Sequence, residues 1–131
     1  MDITEYNDNP SLDRLGNSKH RIGIIVSRFN SSITSNLLEG AKFALNTAPT
    51  IIDNVDIFWV PGSFEIPVAA KRLANRGYAA VICLGAVIRG ETDHYEYISQ
   101  AVSRGLTDVG VDTGIPIIFG VLTTDTMQQA L

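Results

Sequence analysis

A parallel α/β sheet with helices on both faces is predicted by three features of the sequence. Short β-branched apolar runs recur along it, stretches with apolar residues at helical spacing lie between them, and the joints carry turn-forming glycine, proline and short polar residues. Strict alternation of strand and helix implies right-handed crossovers in one sheet. In such sheets ligands bind beyond the carboxyl ends of the strands, so the loops leaving the strands are where chemistry is sought.

The elements follow in order. Residues 1–20 are polar, with Asn9-Pro10 and Gly16-Asn17, and read as an arm. Arg21 to Val26 reads as a strand buried on both faces. Ile33, Leu37, Leu38, Ala41, Ala44 and Leu45 recur at helical spacing, with Ser31 or Ser32 as the expected cap. Val55 to Val60 is the second strand. The next helix runs from Glu65 or Ile66 to Arg76, with Gly77 as a left-handed stop. Ala79 to Gly85 is the third strand, followed by a loop from Ala86 to His94 and a helix from Tyr95 carrying Ile98, Ala101, Val102 and Leu106. Ile115 to Val121 is the fourth strand. Asp125 and Gln128 suggest a capping box for a fourth helix, barely begun at Leu131. Residues 21–131 thus form a single domain behind the arm, with an incomplete last helix.

Composition narrows the function. With 45% apolar and 18% charged residues the chain is globular rather than disordered. The net charge of -4 and the scattered Lys and Arg exclude the basic footprint of a nucleic-acid binder. No apolar run reaches membrane-spanning length. The lone Cys83 sits in the apolar run of the third strand, where it reads as a small buried hydrophobe. It forms no intrachain disulfide, which fits a reducing, cytoplasmic setting.

Three loops carry chemistry. In the first, Phe29-Asn30 follows the strand; Phe29 either caps the core or offers its π-face to a flat heterocycle. In the second, Gly62 permits close backbone approach, and Ser63, Phe64 and Glu65 bring free amides and a carboxylate to a helix start. Glu65 either accepts from ligand hydroxyls or simply favours the helix dipole. In the third, Gly85 to His94, a glycine-bearing loop before a helix presents amides and Thr92 to an anion such as phosphate. His94 is a candidate acid/base, and equally an ordinary surface residue or cap. Only two histidines are present and no zinc-like spacing occurs, so no metal site is expected. Neither the P-loop nor the dinucleotide fingerprint is found. The residues describe a site for a flat, hydroxylated ligand beside an anion.

Arg28-Phe29-Asn30, the run from Trp59 to Pro67, the run from Leu84 to Tyr95, and the run from Pro116 to Thr123 resemble the signature blocks of lumazine synthases, in order and with the right separations. The resemblance covers about Arg21 to Leu131. It implies a flavodoxin-like, three-layer α-β-α sandwich with a four-stranded parallel sheet. It also implies a transferase that condenses 5-amino-6-(D-ribitylamino)uracil with 3,4-dihydroxy-2-butanone 4-phosphate. The products are 6,7-dimethyl-8-ribityllumazine, water and inorganic phosphate, made on the way to riboflavin without a cofactor. Phe29 would stack on the pyrimidine, with Asn30 beside it. Ser63, Phe64 and Glu65 would hold the ribityl chain, and Ala86, Val87 and Ile88 would meet the pyrimidine edge through backbone groups. Glu91 and Thr92 would border the phosphate, Glu91 through its backbone. His94 would carry protons, and Phe119 would arrive from a neighbouring subunit. The resemblance further implies a homo-oligomer, a pentamer or multiples of one, with sites shared between subunits, and riboflavin synthase as a partner. Family members continue with an arginine, a lysine and a long helix, so the domain is expected to be truncated at its C-terminal end. A non-catalytic lumazine- or flavin-binding homologue, a shell-forming scaffold and an unrelated phosphosugar enzyme on the same fold are the alternatives.

Overall fold

The computed structural model describes residues 21–47, 54–89 and 94–131. The arm 1–20 and, in the third loop, Glu91 and Thr92 lie outside the described residues. Strand β1 (Arg21–Ser27) is buried along its whole length. It lies between β2 (Asn54–Val60) and β3 (Ala80–Ile88), with β4 (Ile117–Thr124) beyond β3. The sheet order is β2-β1-β3-β4 and every pairing is parallel. Val26 stands opposite Trp59 on one side and Leu84 on the other.

Helices cover both faces because alternate strand residues are apolar in both directions. On one face, α2 (Ile66–Ala74) and α3 (Tyr95–Thr113) bring Ile66, Ala70, Leu73, Val102 and Leu106 onto Ile25, Val81, Cys83, Val87 and Val121. On the other, α1 (Ser31–Thr47) sets Leu38 against Ile22, Ile24, Val26 and Leu84. The short α4 (Met127–Ala130) adds Met127 and Ala130 beside Ile33, Ala86 and Ile88. Each fully buried aliphatic side chain contributes about 1.5–3 kcal/mol of transfer free energy, so these two layers hold the sheet. The fold is the α/β, flavodoxin-like sandwich expected from the sequence.

The amino edge of the sheet holds a buried charge. Arg21 is 2% exposed, and its Nη2 donates to Asp56 Oδ2 at 3.2 Å. The Tyr78 hydroxyl donates to the same oxygen at 2.7 Å, and the Arg21 guanidinium lies 5.1 Å from the Tyr78 ring centroid. Burial, and then the hydrogen bond and charge of Asp56, push the Tyr78 hydroxyl pKa well up.

Several boundaries depart from the sequence reading. The third strand runs on through Ala86, Val87 and Ile88, which were expected in the loop, because β4 pairs with it as far as Ile88 opposite Thr124. The fourth strand starts at Ile117 rather than Ile115 and ends at Thr124; α3 extends to Thr113, and the turn at Gly114 uses the residues between. Ser31 opens α1 instead of capping it. Asn30 occupies the position before, in the left-handed region at φ 63, and its carbonyl accepts from Ile33 and Thr34. Helix α2 stops at Ala74, short of Arg76, although Gly77 is left-handed at φ 89 as expected. The capping box falls one residue later than Asp125 and Gln128: Gln129 N donates to Thr126 Oγ1, and Gln129 Oε1 accepts from Thr126 N.

Candidate functional site

At the carboxyl edge of the sheet lies a cleft of about 340 Å³, lined by Phe29 and Asn30 after β1, by Gly62 to Glu65 after β2, by Ala86 to Ile88 of β3, and by Ile98 of α3. Its size falls within the roughly 300–1,000 Å³ of small-molecule sites. Eight sequence-predicted residues, Phe29, Asn30, Ser63, Phe64, Glu65, Ala86, Val87 and Ile88, meet here.

The first wall is held by backbone bonds between the turn after β1 and the end of β2. Phe29 N donates to Pro61 O at 3.1 Å, and the Phe29 ring is 51% exposed, facing the opening rather than capping the core. Asn30 then turns the chain into α1. Its left-handed backbone suits asparagine better than most residues. Its side chain is already engaged, with Nδ2 donating to Ala86 O at 3.2 Å. Asn30 therefore joins the first loop to the end of β3.

The floor depends on Gly85. The turn Ser63–Glu65 sits directly on β3, and a Cβ built on Gly85 would lie 2.5 Å from Ser63 Oγ. Ser63 is 6% exposed, and its hydroxyl has no hydrogen-bond partner among the described residues. A buried hydroxyl of this kind costs free energy until a partner arrives. Phe64 is 60% exposed at the rim. Glu65 N donates to Gly62 O, closing the turn, and the Glu65 carboxylate lies back over Gly62, whose virtual Cβ is 3.3 Å from Oε1.

The back wall is backbone. β1 pairs with β3 only as far as Leu84, whereas β3 continues to Ile88 alongside β4. The edge of β3 from Gly85 to Ile88 therefore has no strand on its β1 side and borders the cleft. Alternating N–H and C=O groups along such an edge suit the edge of a planar heterocycle.

Of the four remaining predicted residues, the two that are described, His94 and Phe119, stand outside this group. His94 is exposed at the start of α3, one turn before Ile98, and its carbonyl accepts from Ile98 N at 2.9 Å. It does not line the cleft itself. Glu91 and Thr92 are outside the described residues. Phe119, on β4, lines a separate groove of about 520 Å³ with Ser99, Gln100, Ser103, Arg104 and Thr123. Beside the third loop, Arg89 Nη1 lies 3.8 Å from Asp125 Oδ1. Ile98 was not among the residues expected in the site. The available signal was its spacing of four from His94, which puts both on one helix face. Cys83 is fully buried under α2 and α3, and desolvation pushes its thiol pKa up to about 12, far from a nucleophile. Among the described residues no three His, Cys, Asp or Glu gather as a metal set, and no helix is long and apolar enough to cross a membrane.

Fold and cleft together define a flavodoxin-like α/β protein with a cleft of small-molecule size at the carboxyl edge of its sheet. Residues 19–131 match the 6,7-dimethyl-8-ribityllumazine synthase family. The chain belongs to that family, and its activity is the formation of 6,7-dimethyl-8-ribityllumazine in riboflavin biosynthesis.

Proposed function

We propose that the cleft is where 5-amino-6-(D-ribitylamino)uracil binds and reacts with 3,4-dihydroxy-2-butanone 4-phosphate. The observation that carries this is the edge of β3 beside Phe29 that no strand covers: a flat ring fits between an aromatic face and backbone donors and acceptors, of which Ala86 O already accepts from Asn30. The ribityl hydroxyls meet Ser63, Phe64 and Glu65, and the Ser63 hydroxyl, which has no partner among the described residues, gains a hydrogen bond. The phosphate lies toward Glu91 and Thr92, whose segment precedes α3.

In this reading the protein chiefly positions. The substrates bring their own amine and carbonyl, and holding two reactants in register is worth about 7–11 kcal/mol. His94, at the start of α3, transfers protons during imine formation and ring closure, adding roughly 10²–10⁴-fold. Phe119 lies away from its own cleft and serves the cleft of a neighbouring protomer, in a homopentamer or a multiple of one. Exposed Phe64 and Phe119, at 60% and 48%, are apolar surfaces that such an assembly would cover. We place the reaction in the cytoplasm, where the lone thiol stays reduced, with riboflavin synthase as the partner consuming the product.

The test is a coupled assay that follows lumazine fluorescence from the two substrates. Phe29→Ala is expected to raise KM for the pyrimidine at least tenfold; an unchanged KM would remove the ring from this cleft.

A further inference from the structure

Arg28 and Trp59 have no part in the contacts described so far. Arg28 N donates to Val60 O at 2.8 Å, and Phe29 N follows by donating to Pro61 O at 3.1 Å. These two bonds tie the two residues after β1 to the end of β2 and the residue beyond it, before the chain reverses at Asn30. The side chains then part. Phe29 lines the cleft, whereas the Arg28 guanidinium lies 5.6 Å from the centroid of the Trp59 ring. Trp59 stands opposite Val26 and is two residues from Ile57, both in the layer under α1. The stack therefore sits on the α1 side of the sheet, and it holds the backbone from which Phe29 departs. Trp59 is 37% exposed and Arg28 is exposed, so the stack lies at the margin of the core. Phe29, with half its surface in solvent, depends on its backbone for its orientation.

We propose that Arg28 and Trp59 are positioning residues for Phe29: their cation–π stack clamps the turn from Arg28 to Phe29 against the end of β2 and sets the ring at the angle a planar ligand needs. This rests on Phe29 serving as the platform for the ring. Arg28 touches no reacting atom and acts only through its neighbour. Loss of the clamp leaves Phe29 present but loosely oriented, so binding of the flat ring weakens while chemistry on bound substrate continues.

The experiment is calorimetric titration of the full chain with 6,7-dimethyl-8-ribityllumazine, for the wild type, Arg28→Gln, Trp59→Leu, the double variant and Phe29→Ala. A stack at an exposed site predicts that each single change raises Kd roughly two- to fivefold. The double variant is expected to be no weaker than the worse single one, and Trp59→Phe, which keeps an aromatic face, to bind nearly as the wild type. In Arg28→Gln kcat at saturation and the thermal midpoint stay unchanged, which a merely structural role would not allow. Trp59 is the chain's one tryptophan, so Arg28→Gln also alters its fluorescence directly. Wild-type affinity in Arg28→Gln, or additive losses in the double variant, would overturn the clamp while a loss in Phe29→Ala leaves the platform standing. Wild-type affinity in Phe29→Ala would remove platform and clamp together.

Discussion

Replacing Gly85 with alanine places one methyl group where the floor of the cleft has no room. The new Cβ would lie 2.5 Å from Ser63 Oγ and 3.2 Å from Ile66 Cδ1. Ile66 is fully buried, so the Ser63 hydroxyl, or the Ser63–Glu65 turn that carries it, is the part that moves. Restoring ordinary contact takes a displacement of about 1 Å. Overpacking of this order costs about 1–3 kcal/mol, which for a domain of this size lowers Tm by roughly 3–15 °C. A shift of about 1 Å in substrate-positioning groups can reduce rate by up to about 100-fold, so kcat/KM in the lumazine-fluorescence assay is expected to fall between about 10- and 100-fold. A second substitution separates the two effects. Ser63→Ala removes the clashing oxygen and leaves its Cβ 3.5 Å away. The Gly85→Ala/Ser63→Ala pair should therefore recover most of the lost Tm but not the activity, since the ribityl-facing hydroxyl is gone. Gly85→Ala with wild-type Tm and kcat/KM would refute the packing of the turn on β3 as the basis of the site.

Other outcomes follow from the same contacts. Asp56→Asn leaves the buried Arg21 without its carboxylate and should cost about 3–5 kcal/mol in urea unfolding. Arg21→Met should cost less, because Asp56 is 21% exposed and still accepts from Tyr78; the reverse order would contradict this. His94→Ala should slow turnover by roughly 10²–10⁴-fold yet leave measurable lumazine formation, and a folded, substrate-binding variant with none would count against positioning as the main source of rate. Cys83, with its thiol pKa raised from 9.0 to about 12, should resist thiol reagents at pH 8 until denaturant is added. Between those two pH values the unfolded chain releases the proton while the folded one keeps it. Stability is therefore full below about pH 9 and falls as pH rises toward 12, by about 1.4 kcal/mol per unit from this group. Cys83→Ala should flatten that part of the profile, although Tyr78, shifted in the same direction, retains some slope.

The core was legible because both layers write themselves into the strands. Ile22, Ile24, Ile25 and Val26 crowd one short strand with only Gly23 among them, a density that a strand covered on two faces tolerates. The meeting of the first two loops with the end of β3 followed from strand parallelism. What escaped depends on contacts between distant segments. Gly85 reads as the end of a strand, yet β4 carries the pairing three residues further, and that overhang forms the back of the cleft. Asn30 reads as a polar loop residue, but its left-handed backbone and its bond to Ala86 O exist only once β1 and β3 are neighbours. The buried hydroxyl of Ser63 likewise has no local signal, since its burial comes from Gly85, 22 positions away along the chain. Phe119 was expected at a site it does not reach within its own protomer, and its exposed place on edge strand β4 accords with the proposed sharing between subunits.

The most direct measurement is a crystal structure of the chain soaked with 6,7-dimethyl-8-ribityllumazine. Density for the bicyclic ring is expected between Phe29 and the backbone of residues 86–88, with the ribityl chain running to Ser63 and Glu65. A ring bound elsewhere, with that edge of β3 still bare, would contradict the account.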